Sequence, residues 1–219
     1  MKFTLKALAI ALLALPAVAQ AQTPFDNSVS VSILSHPFKA KGTGYPTNGE
    51  GGGFKADFSL DFPLASGPRT FADYLIWCID ANRGISVPGG PYTYQAFTAL
   101  SFANTSFGSP SPNAHNVTVS DMRKIVTVVS DLRTNWTSYT KTQREDRQGS
   151  IWALFRGEPT VASLGTIAEA QGNLAQWVVL YNGRNQTFLT EVSEPSEVAL
   201  LMTVIGGLMF LTIARRRRA

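Results

Sequence analysis

The first half of the chain, residues 28–107, alternates short runs of strand-forming residues with segments rich in glycine and proline. The runs are VSVSIL, FKADFSLDF, TFADYLIWCID and YTYQAFTALSF. The segments between them, GTGYPTNGEGGG, PLASGP and SVPGGP, are typical of turns and loops. Several short strands at such spacing restrict this region to an antiparallel sheet, folded as a sandwich or as a barrel-like body.

The second half of the chain has a different periodicity. From Ser120, a candidate N-cap, apolar residues recur at the spacing of one helix face, at Ile125, Val128, Val129 and Leu132. A second helix is predicted at 142–155 and is expected to end near Gly157. The runs AQWVVLYN and QTFLTEV then predict two closing strands. Residues 22–190 are therefore expected to form one α+β domain, a β-rich sandwich or barrel-like body with a helical insertion.

The N-terminus has the layout of a secretion signal. Two lysines precede an unbroken apolar run, Ala7–Leu15, which is too short to span a bilayer. A proline ends this run, and the small residues Ala19 and Ala21 then provide a cleavage site. We therefore expect residues 1–21 to be a signal peptide and the mature protein to be exported.

The C-terminus combines an uncharged apolar segment with a basic cluster. Residues 198–214 are about long enough for one transmembrane helix and show no polar face. Four arginines follow directly: Arg215, Arg216, Arg217 and Arg218. Such a cluster stays on the cytoplasmic side of a membrane. We therefore expect the helix to anchor the protein in the inner membrane with its body outside the cytoplasm.

A short acidic motif stands just before this apolar segment, with Glu194 and Pro195 in the run SEPSE. Together with the signal peptide, the helix and the arginines, it resembles the PEP-CTERM sorting signal of Gram-negative bacteria, here residues 191–219. That family's usual motif is Val-Pro-Glu-Pro, and Ser193 replaces its first proline. The resemblance implies recognition by an exosortase-type membrane protease, processing to the cell surface or extracellular matrix, and an association with extracellular polysaccharide and biofilm.

Charge and composition exclude several classes of function. Residues 22–193 hold 13 basic and 13 acidic side chains, so no basic field indicates a nucleic-acid partner. Two histidines, His36 and His115, and one cysteine cannot assemble a conventional zinc site, and no cofactor motif is present. A Cys-His protease pair stays open, although both histidines fall in loop-like segments. The expectation is a protein that is not an enzyme and uses no metal or cofactor.

Cys78 is the only cysteine of the chain and lies in the strand-like run YLIWCID. Alternation along a strand places Cys78 and Asp80 on one face and Trp77 on the other. Both faces are largely apolar, so the thiol is expected to be buried. A lone buried cysteine is usually an inert, small apolar residue, and this interpretation stays open.

A buried glutamine supplies the competing interpretation. Gln148 shares the apolar face of the second predicted helix with Ile151, Trp152 and Phe155. An unpaired amide at such a position would cost roughly 1–3 kcal/mol, so it should have a partner. That partner is either a backbone group of the sheet or Cys78, whose thiol can displace ammonia from a glutamine side chain and form an internal thioester.

The surroundings of these two residues resemble the thioester domains of bacterial surface adhesins. Trp77, Cys78 and Ile79 match the first motif of that family, an apolar or aromatic residue, cysteine and an aliphatic residue. The second motif, Gln-x-x-aliphatic-Trp, is matched by Gln148, Ile151 and Trp152. The resemblance implies a β-rich fold with a helical insertion and a Cys78-Gln148 thioester. Asp80 and Trp152 are candidate supporting residues.

The same resemblance implies covalent attachment to a target. An amine or hydroxyl group on a surface target attacks the Gln148 carbonyl, and Cys78 leaves as the thiolate. The protein is consumed, so it acts once and does not turn over. This sequence departs from the family at Arg147, where an aliphatic residue is usual, and Gly149 is expected to loosen the helix.

Two other functions stay open from the sequence. One is a noncovalent structural or carbohydrate-binding β-sandwich of the extracellular matrix, with Cys78 as inert core. The other is a secreted hydrolase, which is the weakest because no set of catalytic residues is complete.

Overall fold

A computed structural model describes residues 28–44, 50–61, 68–81, 84–104 and 117–192. Six antiparallel strands close into a barrel in the order β1-β2-β3-β6-β5-β4. Their bounds are β1 Ser28–Ala40, β2 Gly51–Asp61, β3 Pro68–Cys78, β4 Gly89–Thr98, β5 Trp177–Tyr181 and β6 Phe188–Glu191. The predicted β-rich body with helices is confirmed, and of the sandwich and the barrel it is the barrel that forms.

The barrel encloses a hydrophobic core. Side chains of a strand alternate between the two faces, and directly paired residues share a face. Pairing between neighbouring strands therefore places one set of buried side chains inside the barrel. Phe54 lies opposite Ile76, Cys78 opposite Phe188, and Leu180 opposite both Phe188 and Ala96. All six are fully enclosed or nearly so. Burial of each large side chain contributes about 1.5–3 kcal/mol.

Three helices lie between β4 and β5, as the predicted helical insertion requires. They are α1 Ala99–Asn104, α2 Val119–Asn135 and α3 Lys141–Arg156. The prediction of Ser120 as the N-cap of α2 is wrong. The cap is Thr118, whose hydroxyl accepts from the Asp121 amide at 3.1 Å while the Asp121 carboxylate accepts from the Thr118 amide. A reciprocal pair of this kind satisfies two otherwise unpaired amides.

Capping interactions set both ends of helix α3. Thr140 and Gln143 form a second reciprocal capping pair at its start. Gly157 ends it in the left-handed conformation at φ 68°, which glycine adopts without steric cost. The helix predicted at 142–155, with its end near Gly157, is thereby confirmed.

Two other sequence expectations are corrected. The run YTYQAFTALSF was predicted as a single strand, but the strand ends at Thr98 and α1 follows. The Thr98 hydroxyl accepts from the Ser101 amide at 3.0 Å and so starts the helix. The glycine-rich segment expected to form a turn or loop includes Gly51 and Gly53, which lie in β2.

Several predictions fall outside the described residues. They concern the signal peptide, with Ala19 and Ala21, and the sorting signal, with Glu194, Pro195, the helix 198–214 and the tail 215–218. Within the described ranges, no helix combines the length and the hydrophobicity needed to cross a bilayer.

Candidate functional site

Cys78 is the last residue of β3, and its side chain has no exposed surface. The expected burial of the thiol is thus observed. Its Sγ donates to the carbonyl oxygen of Asp80 at 3.2 Å. The chain leaves the strand after Cys78, so Asp80 does not continue the strand face on which alternation placed it.

Burial controls the acidity of this thiol. Desolvation raises the pKa of Cys78 to about 12, and the negative charge of Asp80 adds to the effect. The hydrogen bond to the Asp80 backbone and the nearby Trp152 indole lower the pKa by less. The thiol is therefore protonated at neutral pH, unlike the exposed, low-pKa thiolates of cysteine proteases.

Gln148 meets Cys78 from α3. The side chain of Gln148 is fully buried, and its Nε2 donates to the backbone oxygen of Cys78 at 3.0 Å. Its Oε1 accepts from the indole Nε1 of Trp77 at 2.9 Å. The amide has the backbone partner in the sheet that the inert interpretation expects, and that partner belongs to Cys78.

Trp152 lies one turn after Gln148 and is also enclosed. A Cβ added to Gly42 or Gly51 would overlap its ring, so only glycine allows the ends of β1 and β2 to approach the indole. Gln148 and Trp152 of α3 therefore lie beside Cys78 at the end of β3. The motif residues at 77, 78, 148 and 152 lie together in the folded chain.

The remaining candidate, Asp80, is buried with 6% of its surface exposed. The Thr187 hydroxyl lies 3.5 Å from its Oδ2, and the Ile79 amide donates to the Thr187 carbonyl at 2.9 Å. Asp80 is thus held between the end of β3 and the approach to β6. Its backbone oxygen accepts the hydrogen bond from the thiol.

A turn and a short 3-10 helix, Ala162–Leu164, hold α3 in place over this site. Asp146 accepts from the hydroxyl of Thr43 at 2.7 Å and from that of Ser163 at 2.7 Å. An added Cβ on Gly149 would lie 2.6 Å from the Thr43 carbonyl oxygen. Gly149 was expected to loosen the helix, but α3 runs through it without a break, and the absent side chain allows the close approach of Thr43.

Arg147 points away from Gln148 and takes part in a separate network. Its Nε donates to Asp131 at 2.7 Å, and its guanidinium lies 3.7 Å from the centre of the Tyr139 ring. The Tyr139 hydroxyl also donates to Asp131, at 2.6 Å. The residue that departs from the adhesin motif therefore joins α2 to α3.

The structure gives His36 a different environment from a protease histidine. Its ring stacks on Phe54 at 3.8 Å, and its Nε2 lies 2.9 Å from the Gly51 carbonyl oxygen. Burial lowers the pKa of His36. Among the described residues, no three His, Cys, Asp or Glu side chains are grouped as metal ligands.

Trp77 was not expected to be a partner of Gln148. Strand alternation placed Trp77 on the face opposite Cys78, and the motif required only an apolar or aromatic residue there. A buried indole N–H usually has an acceptor, and this rule was the one available signal for a partner.

Comparison of the chain with models of known families, with curated proteins and with solved structures finds no match.

Proposed function

We propose that Cys78 and Gln148 form an internal thioester through which the protein attaches covalently to a target. The observation that carries this proposal is the position of the Gln148 carboxamide. It is fully buried, and its two ends hydrogen-bond Trp77 and the backbone of Cys78 at 2.9 and 3.0 Å. The amide whose carbon would be attacked is therefore hydrogen-bonded to the backbone of the residue that carries the only thiol of the chain, and both side chains are fully buried.

Bond formation requires no reagent beyond these two side chains. The Cys78 sulfur attacks Cδ of Gln148, a C–S bond forms, and the C–N bond to Nε2 breaks. Ammonia leaves with the proton of the thiol, so atoms and charge balance. Exclusion of water by Trp152 and the barrel protects the thioester from hydrolysis.

The stored acyl group is then transferred once. An amine of a surface target attacks the same carbon and gives an amide, while a hydroxyl gives an ester. Cys78 leaves as the thiolate and takes up a proton. The product is the protein joined to its target through Gln148, so the protein is a single-use crosslinker and not a turnover enzyme.

We place this reaction outside the cytoplasm. The signal peptide at 1–21 and the PEP-CTERM-like segment at 191–219 support export, anchoring in the inner membrane and processing by an exosortase-type protease. The role that follows is a covalent adhesin of the cell surface or biofilm matrix. Deletion of Arg215–Arg218 should impair sorting, and unchanged export and processing of the deleted protein would contradict this assignment.

Intact mass of the purified full chain tests the thioester. We expect a mass lower by one ammonia than the sequence of the exported form requires. The deficit should be absent in Cys78→Ala and Gln148→Ala and retained in Gln171→Ala, a control at an exposed glutamine. Methylamine should add to Gln148 and release the thiol. The full unmodified mass with an unchanged thiol in the native protein would exclude the thioester.

A second candidate function is noncovalent binding of carbohydrate. It is favoured by an open groove of about 390 Å³ that is lined by Leu75, Ser130, Arg133, Thr134 and Glu191. These residues offer donors and acceptors beside an apolar side chain, which suits a sugar. Calorimetry with extracellular polysaccharide should detect binding that Arg133→Ala weakens and Cys78→Ala leaves unchanged, and absence of binding would exclude this function.

A further inference from the structure

We propose that the Trp77 indole stabilises the negative charge that develops on Gln148 Oε1 during thioester formation and during transfer to the target. This inference rests on the proposed thioester and assigns its reactivity to a residue beside the cysteine. The indole nitrogen of Trp77 lies 2.9 Å from Gln148 Oε1, and both side chains are buried. A donor at this distance, in a site closed to solvent, is suited to an oxyanion.

The hydrogen bonds also determine which end of the amide faces Trp77. An indole nitrogen can only donate, so it must face the oxygen of the amide. The backbone oxygen of Cys78 can only accept, so it must face Nε2, as the 3.0 Å contact has it. The carbonyl oxygen is therefore held against the indole, and the nitrogen that leaves as ammonia is held against Cys78.

Packing holds the Trp77 ring in this position. The ring lies edge-on to Trp136 with centroids 5.6 Å apart and stacks near Phe38 at 6.1 Å. On the sheet, an added Cβ at Gly53 would lie 2.8 Å from Cζ3 of Trp77. A donor fixed before the reaction has little reorganisation to undergo when charge appears.

The chemistry of the site requires help of this kind. A carboxamide is a weak electrophile, and the buried Cys78 thiol, whose pKa is raised to about 12, is a weak nucleophile at neutral pH. Polarising the carbonyl is therefore the effective way to lower the barrier. When sulfur attacks Cδ, the carbonyl electron pair moves to Oε1 beside the indole N–H. It returns as the C–N bond breaks.

The same oxygen carries the charge in the second reaction. When a target amine attacks the thioester, the electron pair again moves to Oε1 and returns as the C–S bond breaks. One donor therefore serves both steps. The adhesin resemblance requires only an apolar or aromatic residue at this position, so the indole N–H is a property of this chain.

The test is Trp77→Phe, which keeps an aromatic ring and removes the N–H. The control is Trp177→Phe, the same change at a buried tryptophan at the start of β5. Full-length variants are refolded, and mass spectrometry follows the loss of ammonia and then the addition of methylamine. Removing one oxyanion donor commonly slows a reaction by about 10²–10³-fold. We expect slowing of this order in both steps for Trp77→Phe and wild-type rates for Trp177→Phe.

A spectroscopic measurement covers the case in which Trp77→Phe does not fold. The wild-type protein is labelled with ¹³C in its glutamine side chains. Difference infrared spectra recorded before and after methylamine treatment should show a thioester carbonyl stretch. It should lie below that of an alkyl thioester in an apolar solvent, because the indole donates to it.

The possible failures are distinguishable. Wild-type rates in Trp77→Phe, or a carbonyl stretch equal to that of the free thioester, would overturn the role of Trp77 and leave the thioester standing. A wild-type protein without the ammonia deficit would overturn the thioester and this inference together.

Discussion

Gln148 and Cys78, 70 residues apart in the chain, are joined by a hydrogen bond of 3.0 Å from the glutamine Nε2 to the cysteine backbone oxygen. This bond ties the middle of α3 to the end of β3. The carbonyl oxygen of the same amide is held by Trp77, so each end of the amide has a partner of the correct polarity. The contact stabilises the fold in any protein molecule whose thioester has not formed.

Gln148→Glu should make stability depend on pH in a way that the parent protein does not. A carboxyl group fits this position only when protonated, because its ionised form turns a second acceptor toward the Cys78 oxygen. Burial raises the pKa of such a group. The stability that the protonated carboxyl contributes is therefore fully present below the ordinary glutamate pKa of about 4.3, and it is lost as pH rises through the raised pKa of the folded state. We expect a cost of at least about 1–3 kcal/mol at pH 7.

Urea unfolding between pH 4 and 8 checks this prediction. Both proteins should carry Cys78→Ala, which excludes the thioester from either. Gln171→Glu, at an exposed site, is the matched control and should show a much smaller change. An unfolding free energy of the Gln148→Glu variant that does not change with pH would contradict the hydrogen-bond arrangement.

Gly149→Ala should destabilise the protein although alanine favours a helix. Propensity alone would give a gain of about 0.8–1.0 kcal/mol. The new Cβ would, however, lie 2.6 Å from the Thr43 oxygen and 2.9 Å from its nitrogen, both backbone atoms. Forcing an extra methyl group into such a contact costs about 1–3 kcal/mol, so we expect a net loss and slower thioester formation.

Thermal unfolding measures this effect against Thr142→Ala, which changes an exposed position of α3. That control should be neutral or slightly stabilising. A melting temperature for Gly149→Ala above that of the parent would show that Thr43 moves aside without cost.

The elements of this fold were accessible from the sequence because their signals are local. Glycine and proline between strand-forming runs marked most strand ends, and Gly157 marked the end of α3. The N-cap at Thr118 was missed because Ser120, two residues on, is an equally good cap by residue type. Only the contact with Asp121 distinguishes the two.

The arrangement of the site depends on contacts that no local signal reports. Helix propensity indicated that Gly149 would weaken the helix. The structure shows instead that the Thr43 backbone comes too close to this position for a side chain, so glycine is needed there. Strand alternation separated Trp77 from Cys78, yet a helix that packs over the end of a barrel reaches both residues. The pairing of Cys78 with Gln148 was accessible only through a motif, because 70 residues of chain lie between them.

Asp131→Asn should reduce the stability of the α2–α3 pair above pH 4 and have little effect in acid. Burial raises the pKa of Asp131, but hydrogen bonds from Arg147, Tyr139 and Asn135 outweigh it and hold the pKa below its ordinary value of 3.8. A depressed pKa gives stability that is present above the unfolded value and lost as pH falls through the folded value. The pair is partly solvated, so we expect a loss of about 0.5–1 kcal/mol at pH 7.

Urea unfolding of both proteins from pH 2 to 7 checks the sign. The two stability curves should approach each other as the pH falls below 4. A constant difference across this range would show that the charge of Asp131 contributes nothing. Asp121→Asn is unsuitable as a control because Asp121 belongs to the capping pair of α2, whereas Asp61→Asn changes an exposed carboxylate at the end of β2.

The buried thiol should make the protein less stable in alkali whenever the thioester cannot form. In Gln148→Ala, the thiol of the unfolded chain ionises near its ordinary pKa of 9.0, while burial holds the folded pKa at about 12. The folded state then binds more protons, so stability is full below pH 9 and falls as pH rises, by up to about 1.4 kcal/mol per pH unit. The double variant Gln148→Ala, Cys78→Ala shares every other titration. The difference in unfolding free energy between the two variants should therefore decline from pH 9 upward. A difference that does not change with pH would place the thiol in contact with water.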